Sequence, residues 1–271
     1  MTASPPSASF SPGGSGIPGG LSAFIIARDE EEDLPGALES LRGLADEVVV
    51  LLAEDSADRT GDLAKGAGAR VSVRKFDDFA SHKNAALALA TKEWALSIDA
   101  DERVTPELRE EALQALRAAG PGLGGFEIPF AVFFMGGRLR FGGLGGERHL
   151  RLFRRRLGSF TGGALHEGVV VRGQVLGLGA RMEHHPYRDL TDYLEKLDRY
   201  TSLAAAKRYQ AGRRFRWWHH LVLPAEFFLR AVLRLGVLDG RPGLVWAGLS
   251  AFHSWLKYVK LAELESKEAR P

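Results

Sequence analysis

An alternation of apolar strand-like runs with helical segments between residues 21 and 119 constrains the fold of this chain most. Short runs rich in β-branched residues are typical of buried parallel strands. The runs are LSAFIIA (21–27), EVVVLLA (47–53), RVSVR (70–74) and WALSID (94–99). This alternation predicts an α/β fold with a parallel, doubly wound sheet, in which ligands bind beyond the carboxyl ends of the strands.

Each of these strands is followed by a helix signal. The signals are apolar residues at helical spacing, capping side chains and a proline at the first helical position. After the first strand, Leu34, Leu38 and Leu41 share one helical face. After the second, Asp58 is the predicted cap of a helix from about Thr60 to the turn at Gly66–Gly68. Ser81 is the predicted cap of HKNAALALATK, and Thr105 with Pro106 begins a helix through Ala119.

Charged residues, most of them acidic, follow the predicted strands. They are Arg28, Asp29 and Glu30; Glu54 and Asp55; and Asp99, Asp101 and Glu102. No G-x-G-x-x-G follows the first strand, and the chain has no Walker lysine loop. Neither a dinucleotide-binding fold nor a P-loop NTPase therefore fits. Carboxylates that crowd the edge where a phosphate would bind indicate a divalent cation.

Asp99 and Asp101 are the candidate ligands of that cation. Two carboxylates separated by one residue lie on the same side of an extended chain and can converge on Mg²⁺ or Mn²⁺. Glu102 directly behind them completes an acidic trio at the end of the fourth strand. The alternative is a solvated loop in which an aspartate caps a helix. The spacing alone leaves both interpretations open, and the position after the fourth strand favours the metal.

Four segments occur together and in order: AFIIARDEEEDLPGALESL, DEVVVLLAEDSADRT, SHKNAALALATKEWALSIDADERVTPEL and a region from RLFRR to LHE. Together they resemble the family 2 glycosyltransferases of the GT-A fold. Within that family they are most similar to the bacterial transferases that build lipopolysaccharide core and related envelope glycans. The resemblance runs from about residue 21 to about residue 262. It implies a nucleoside-diphosphate sugar donor, a divalent metal and inversion at the anomeric carbon.

The resemblance also implies roles for individual residues. Asp99 and Asp101 match the metal-binding Asp-x-Asp of the family, and Asp99 also contacts the donor. A lysine beside the donor could pair with phosphate. The remaining implied donor contacts are Ala27, Arg28 and Glu30 in the nucleoside loop, where Asp29 replaces the more usual asparagine, and Lys83 with Asn84 in the HKN motif.

One position departs from the family pattern. The family usually has an aspartate just after the second strand, where it reads the uracil ring. Here the strand runs into Leu52 and Ala53, and Glu54 and Asp55 follow. Either Asp55 or Glu54 substitutes for the usual aspartate, or the donor is not a uridine nucleotide.

Beyond residue 120 the chain changes to short strands and glycine turns, namely GFEIPFAVFF, RLRF, HLRLFRR and VVVRG. We interpret residues 121–188 as the mixed β part of the same domain and the acceptor side. An inverting transfer needs a carboxylate that takes the proton of the acceptor hydroxyl. Glu167 in ALHEGVV matches the His-Glu position of the family and is the predicted base, with Glu147 in reserve. Alternatively, Glu167 makes a structural hydrogen bond.

Basic residues of the same region are assigned to the acceptor or the diphosphate. His184 or His185 could reach the metal or diphosphate from the opposite side, or could be a polar strand end. Alternate members of the arginine run 148–156 share a strand face. The assigned residues are Arg151, Arg154, His166 and His184.

Residues 189–271 read as a helical region. Asp189 caps a helix to about Gln210, and two apolar segments joined by a turn at LDGRPG follow. The longest charge-free apolar run, Pro242 to Leu256, has 15 residues and is too short to span a bilayer. Arginines beside paired tryptophans are typical of helices that lie in a membrane interface. The alternative is a helical pair packed on the catalytic domain or on a second subunit.

Charge is distributed unevenly along the chain. Residues 1–111 hold 21 acidic and 11 basic side chains, whereas residues 112–271 hold 13 acidic and 25 basic ones. Because no nucleic-acid recognition motif accompanies the basic part, we expect an anionic membrane surface as its partner rather than nucleic acid. Residues 1–20, rich in Ser, Pro and Gly, are expected to be a disordered tail and not a signal peptide. Zero cysteines exclude a thiol nucleophile.

The sequence thus predicts an inverting, metal-dependent glycosyltransferase. We expect it to act on a lipid-linked saccharide and to associate peripherally with the cytoplasmic face of the inner membrane. Two alternatives stay open at this point: a nucleotidyltransferase, and a non-catalytic membrane-associated scaffold that has kept the fold.

Overall fold

The computed structural model describes residues 15–163 and 166–268, without side-chain placement for residues 163, 166, 167 and 268. The chain divides into two compact units, one of residues 1–130 and 147–184 and the other of residues 131–146 and 185–271. The strands are β1 (Leu21–Ala27), β2 (Glu47–Ala53), β3 (Arg70–Arg74), β4 (Trp94–Ser97), β5 (Glu102–Val104), β6 (Leu123–Phe134), β7 (Gly137–Leu139), β8 (Arg148–Arg154), β9 (Gly158–Gly163), β10 (His166–Val171), β11 (Gln174–Gly177) and β12 (Met182–His184).

Helices follow the strands of the first unit and make up most of the second. The α-helices are α1 (Leu34–Ser40), α2 (Thr60–Gly66), α3 (Phe79–Leu89), α4 (Pro106–Arg117), α5 (Leu190–Gln210), α6 (Val222–Phe228) and α7 (Gly240–Glu268). Two 3₁₀ turns (Trp217–Leu221 and Gly236–Asp239) and a π-helical turn (Leu229–Leu233) connect the last of them.

The predicted parallel strands form one side of the main sheet. β1 lies between β2 and β4 and is parallel to both, and β3 extends the sheet beyond β2. Phe24 and Ile25 of β1 are almost completely buried, as expected for a strand covered on both faces. The predicted parallel α/β arrangement is therefore confirmed for this half.

The other side of the sheet is mixed. β8 runs antiparallel to β4 and to β6, and the strand order is β3-β2-β1-β4-β8-β6-β12-β5. β11 pairs in parallel with β6, and β9 with β10 forms a separate hairpin. The antiparallel strands carry the short apolar runs seen beyond residue 120, and the sheet has the mixed character that the resemblance implies.

The fourth strand is shorter than predicted. β4 ends at Ser97 rather than Asp99, because the chain then turns, with the Glu102 amide donating to the Asp99 carbonyl at 3.1 Å. After the turn, β5 pairs antiparallel with β12, and His184 lies opposite Glu102. The predicted helix through Ala119 also ends earlier, at Arg117.

The N-cap of α3 is Asp78 and not Ser81, so that prediction is wrong. The Asp78 carboxylate accepts hydrogen bonds from the Ser81 amide at 2.9 Å and from the Ser81 hydroxyl at 2.7 Å. Ser81 is thus the third residue of the helix, where it bonds to the cap. The predicted caps Thr105 and Asp189 do accept hydrogen bonds, from the amides of Leu108 and Asp192. The prediction of Asp58 as the cap of α2 is wrong by one residue, because the N-cap is Arg59, although the Asp58 carboxylate accepts from the Thr60 amide at 2.9 Å.

Residues 15–20, which the composition assigns to the tail, are instead a packed part of the first unit. Ile17 is buried in its core. The Ser15 hydroxyl donates to Asp46 at 2.7 Å, and the Leu21 amide donates to the same carboxylate at 2.9 Å. Asp46 therefore fastens this segment to the start of β1. Residues 1–14 of the predicted tail lie outside the described residues.

The second unit has its own core of aromatic and aliphatic side chains. Phe134, Tyr193, Leu197 and Trp246 pack together there. The predicted turn at LDGRPG is a 3₁₀ turn only as far as Asp239, because α7 already begins at Gly240. Within the described part of the chain, every helix is too short or too polar to cross a bilayer.

Candidate active site

The loops after β1 and β2 are bonded to each other at the carboxyl ends of these strands. Asp29 adopts a left-handed backbone with φ of 55°, which asparagine and aspartate tolerate best after glycine. Its carboxylate accepts from the Ala57 amide at 2.8 Å. The Glu30 amide donates to the Thr60 hydroxyl at 2.7 Å, and the Glu31 amide to Asp58 at 2.9 Å. The Asp that replaces the usual asparagine thus holds the two loops together.

The predicted nucleoside-binding residues lie on these two loops. Ala27 is the buried last residue of β1. Arg28 and Asp55 form an exposed ion pair with 3.3 Å between Nη1 and Oδ2. Glu54 is also exposed, next to Asp55. Of the two candidates for the base-reading position, Asp55 is therefore the one that pairs with the loop after β1.

Asp99 lies between two cations. Its Oδ1 is 3.0 Å from Nζ of Lys83 and its Oδ2 accepts from Nη2 of Arg151 at 2.9 Å. Burial raises the pKa of this carboxyl, but the charges and hydrogen bonds of Lys83 and Arg151 outweigh burial and hold it well below its usual range. Lys83 is itself buried on α3 and pairs with Asp99.

Glu102 points into the protein rather than outward with the aspartates. Its side chain is 1% exposed, and Arg151 donates to it at 2.5 Å while the Asp99 amide donates at 2.9 Å. Burial raises the pKa of Glu102 above its usual value. The charge of Arg151 lowers this pKa but does not outweigh burial. The acidic trio is therefore divided: Glu102 anchors Arg151, and Arg151 in turn binds Asp99. This corrects the interpretation of three carboxylates around one ion.

Asp101 meets His184 across the pairing of β5 with β12. Its Oδ2 lies 3.4 Å from Nε2 of His184, and the two side chains are 27% and 32% exposed. Burial lowers the pKa of His184, but the hydrogen bond and charge of Asp101 outweigh it and raise the pKa. Phe130 lies against the His184 ring at 6.0 Å and under the Arg151 guanidinium at 5.6 Å.

These residues fit a hard divalent cation in part. A carboxylate oxygen and an imidazole nitrogen 3.4 Å apart, both reachable by solvent, can serve as neighbouring ligands of one ion. Asp99 has its two oxygens in contact with Lys83 and Arg151, so it would share them with a metal. The described residues contain no group of three or more His, Asp or Glu side chains already gathered for a metal. Asp101 and His184 are thus the better placed pair.

Two of the predicted site residues, Arg154 and Asn84, form hydrogen bonds with the protein backbone. Arg154 donates to the carbonyls of Leu123 and Gly120, and its guanidinium lies 4.5 Å from the ring of Trp94, the first residue of β4. Because β8 runs antiparallel to β4, Arg154 is at the opposite end of that strand from Asp99, which does not fit a diphosphate ligand. Asn84 forms two hydrogen bonds with the Phe160 backbone, at 2.8 and 2.9 Å.

Of the two candidate bases, Glu147 has a described side chain and Glu167 does not. The side chains of Glu167 and His166 on β10 lie outside the described residues. Glu147 is exposed, and its carboxylate is 3.8 Å from Nε2 of His149. The His149 ring packs on Phe130 at 5.0 Å, the same ring that His184 contacts. Glu147 is therefore linked through two aromatic contacts to the Asp101–His184 pair.

Three residues of the site carried no assignment from sequence. Phe130 supports both Arg151 and His184, but one phenylalanine in the apolar run GFEIPFAVFF has no distinguishing signal. Ser56 and Thr60 bond the β1 loop through their hydroxyls, at 3.1 Å to the Asp29 amide and 2.7 Å to the Glu30 amide. The cluster of Ser, Asp and Thr in EDSADRT is the signal that could have indicated such a turn.

The known proteins to which this chain is similar in sequence include glycosyltransferases. Residues 22–165 match the family described as glycosyl transferase family 2. The chain is 30% identical over 260 residues to the lipopolysaccharide core biosynthesis glycosyltransferase LpsC of Rhizobium meliloti (strain 1021), covering 93% of this chain and 95% of that protein. It is 26% identical over 260 residues to an uncharacterized glycosyltransferase of Rickettsia typhi, covering 91% and 88%.

A solved structure is also similar. It is glucosyl-3-phosphoglycerate synthase from Mycobacterium tuberculosis in complex with Mn²⁺, uridine diphosphate and glucosyl-3-phosphoglycerate, at 19% identity and a TM-score of 0.42. The match covers 72% of this chain and 80% of that one.

Proposed function

The chain belongs to glycosyl transferase family 2, and we propose that it is an inverting, metal-dependent enzyme that moves a sugar from a nucleoside-diphosphate sugar to a lipid-linked saccharide of the lipopolysaccharide core or a similar envelope glycan. Family membership makes it a glycosyltransferase rather than the nucleotidyltransferase or scaffold that the sequence left open. The relative named for lipopolysaccharide core biosynthesis supports the acceptor class, because the similarity extends over nearly the whole of both chains.

The observation that carries the metal-dependent mechanism is the pairing of Asp101 with His184. Both side chains are partly exposed, and they lie beyond the carboxyl end of β4, where an α/β sheet binds its ligand. Asp101 and His184 would hold Mg²⁺ or Mn²⁺, with Asp99 beside them. When bound, such an ion acts as a Lewis acid that neutralises charge on the departing phosphate oxygen.

The buried ion pairs of the site fix the orientation of Asp99. Arg151 and Lys83 contact its two oxygens, and the buried Glu102 keeps Arg151 in place. Because each oxygen of Asp99 contacts a cation, Asp99 stays ionised and its rotamer is held before the donor arrives. Preorganised charge of this kind needs no rearrangement when the reaction takes place.

The exposed ends of the first two loops would receive the nucleoside. Arg28 and Asp55 are half-exposed there, and the Asp29 carboxylate fixes the loop that carries them. We assign base recognition to Asp55, in the role that an aspartate immediately after the second strand usually has. Its carboxylate can accept a hydrogen bond from the N–H of a uracil ring.

The proton of the acceptor hydroxyl needs a carboxylate base. Glu167 is the first candidate from the family pattern, and Glu147 is the second, with the aromatic contacts through His149 and Phe130 in its favour. Comparing Glu167→Gln with Glu147→Gln separates them, because loss of the base lowers kcat while donor affinity stays.

The proposed function is tested with the full chain, Mn²⁺ and a panel of nucleoside-diphosphate sugars. We expect donor hydrolysis, and transfer to lipopolysaccharide core acceptors, for one of the donors. Asp101→Ala should abolish both while Asp62→Ala, on the exposed side of α2, leaves them intact. Full activity of Asp101→Ala, or activity that survives removal of divalent metal with a chelator, would contradict the metal-dependent mechanism.

A further inference from the structure

The connection between α5 and α7 exposes an unusual number of large apolar side chains. Trp217 is 71% exposed, and Leu233 and Leu238 are each 63% exposed. We name as the apolar face the six residues Trp217, Trp218, Leu221, Phe228, Leu233 and Leu238. Soluble surfaces seldom present so many large apolar groups within so short a segment unless they contact something other than water.

The helix formed by α6 and the π-helical turn after it has its polarity reversed. An amphipathic helix of a soluble domain turns its apolar side to the core and its charges to solvent. Here Phe228, Val232 and Leu233 are exposed. Glu226 and Arg230 instead form a 2.7 Å ion pair, with side chains only 22% and 21% exposed. Arg230 also donates to the Gly142 carbonyl. The charged side faces inward and the apolar side faces outward.

The segment that carries the apolar face is also rich in positive charge. Residues 211–244 contain six arginines and two acidic residues, Glu226 and Asp239. Both carboxylates are engaged, Glu226 with Arg230 and Asp239 with the backbone amides of Arg140 and Phe141. The exposed arginines of the segment are Arg213, Arg214, Arg216, Arg234 and Arg241.

We propose that this surface docks on an anionic lipid bilayer. The apolar face enters the boundary between headgroups and acyl chains, and the exposed arginines contact the lipid phosphates. Paired tryptophans favour that boundary because their rings are apolar and their N–H groups are polar. Long arginine side chains can extend from the apolar layer to the phosphates.

Charge argues for lipid over a second copy of the chain. A two-fold interface brings the same patch against itself, and would place the arginines of one copy against those of the other. An anionic bilayer compensates the same charges. The inference rests on the proposed function in one respect: a lipid-linked acceptor would be met at this surface.

The test measures sedimentation of the full chain with sucrose-loaded vesicles, without donor or metal. Vesicles of phosphatidylcholine alone are compared with vesicles of phosphatidylcholine and phosphatidylglycerol in equal parts. We expect binding to the anionic vesicles and little to the neutral ones. Arg213→Gln/Arg214→Gln/Arg216→Gln should weaken binding on the order of a hundredfold. Trp217→Ser/Trp218→Ser should weaken it by about tenfold or more.

The matched control is Val73→Ser/Val175→Ser, which removes exposed apolar side chains of β3 and β11 and should bind like the unaltered chain. Circular dichroism melting shows that each variant is folded, and Leu233→Ser/Leu238→Ser replaces the tryptophan variant should that one not fold. Absence of binding to anionic vesicles, or equal binding by all variants, overturns the proposal. So does a dimer in light scattering that Trp217→Ser/Trp218→Ser abolishes, or binding of RNA in preference to vesicles. Because no step needs transfer, its failure leaves the proposed catalytic function intact.

Discussion

The Asp101 carboxylate lies 3.4 Å from Nε2 of His184. The pairing of β5 with β12 sets His184 opposite Glu102, the residue that follows Asp101, and so brings the two side chains together. Two three-residue strands therefore join residues far apart in sequence at the carboxyl end of β4. His185, the next residue, belongs to the second unit, where its ring stacks on Phe133 at 4.9 Å. The adjacent histidines thus provide a matched pair of variants.

His184→Ala should weaken Mn²⁺ binding by more than the about 10- to 100-fold typical of losing an outer-shell partner, because it removes a direct ligand. His185→Ala should leave the affinity unchanged. Calorimetric titration of each variant with Mn²⁺ in the presence of a nucleoside diphosphate measures both. Equal affinities for the two variants would exclude His184 from the metal site.

Arg151→Met should lower the free energy of unfolding by about 3–5 kcal/mol, because it leaves the buried Glu102 without its cation. Adding Glu102→Gln to that variant should recover part of the loss, since a neutral amide is less costly to bury than an unpaired carboxylate. Urea unfolding near neutral pH gives the three values.

The control for this pair is Lys267→Met, which breaks an exposed ion pair with Glu263. Such pairs contribute about 0–1 kcal/mol, so this variant should be nearly as stable as the unaltered chain. A double variant no more stable than Arg151→Met alone would show that Glu102 is not the group that Arg151 compensates.

The sequence predicted those features that depend on neighbouring residues. Apolar runs, the Thr105 cap and the Asp189 cap are local signals, and the strands and helices that they predict are present. Asp78 is also a local signal, since Asp-x-x-Ser before an alanine-rich run fits a cap and the third helical residue. The prediction of Ser81 as the cap is three residues too late.

The rest of the site depends on contacts between distant segments. β5 and β12 have three residues each, too few for a periodic pattern, so their pairing had no sequence signal. His184 was among the assigned residues, but its contact with Asp101 follows only from that pairing. The inward orientation of Glu102 follows from Arg151 on β8, which the antiparallel pairing of β8 with β4 brings to the carboxyl end of β4. In the same way, the register that brings Arg151 to Asp99 moves Arg154 to the other end of the strand.

Asn84→Ala should destabilise the fold without changing donor affinity. The Asn84 side chain donates to the Phe160 carbonyl and accepts from the Phe160 amide, and so joins α3 to β9. Losing two hydrogen bonds costs about 1–3 kcal/mol. Urea unfolding measures the loss, and titration of the folded variant with a nucleoside diphosphate measures the affinity. Weaker nucleotide binding with unchanged stability would instead make Asn84 a donor ligand, as the family resemblance implies.

Asp192 should make the free energy of unfolding decrease at acid pH. Burial opposes its charge, but hydrogen bonds from Lys196 at 3.0 Å and from the Arg188 amide at 3.2 Å outweigh burial and lower the pKa of Asp192. A carboxyl whose pKa is lower in the folded state stabilises the fold above the unfolded pKa of about 3.9, and this contribution is lost as the pH falls through the lower folded value.

Asp192→Asn should therefore be less stable than the unaltered chain by about 1–3 kcal/mol near pH 7, and the difference should shrink as the pH falls below about 4. Urea unfolding of both proteins across this range tests the sign. Lys196→Met removes one of the donors to Asp192, so it should reduce the pH dependence without abolishing it. A difference between Asp192→Asn and the unaltered chain that stays constant down to about pH 3 would mean that the carboxylate charge contributes nothing, and that only the shape of the side chain matters at this position.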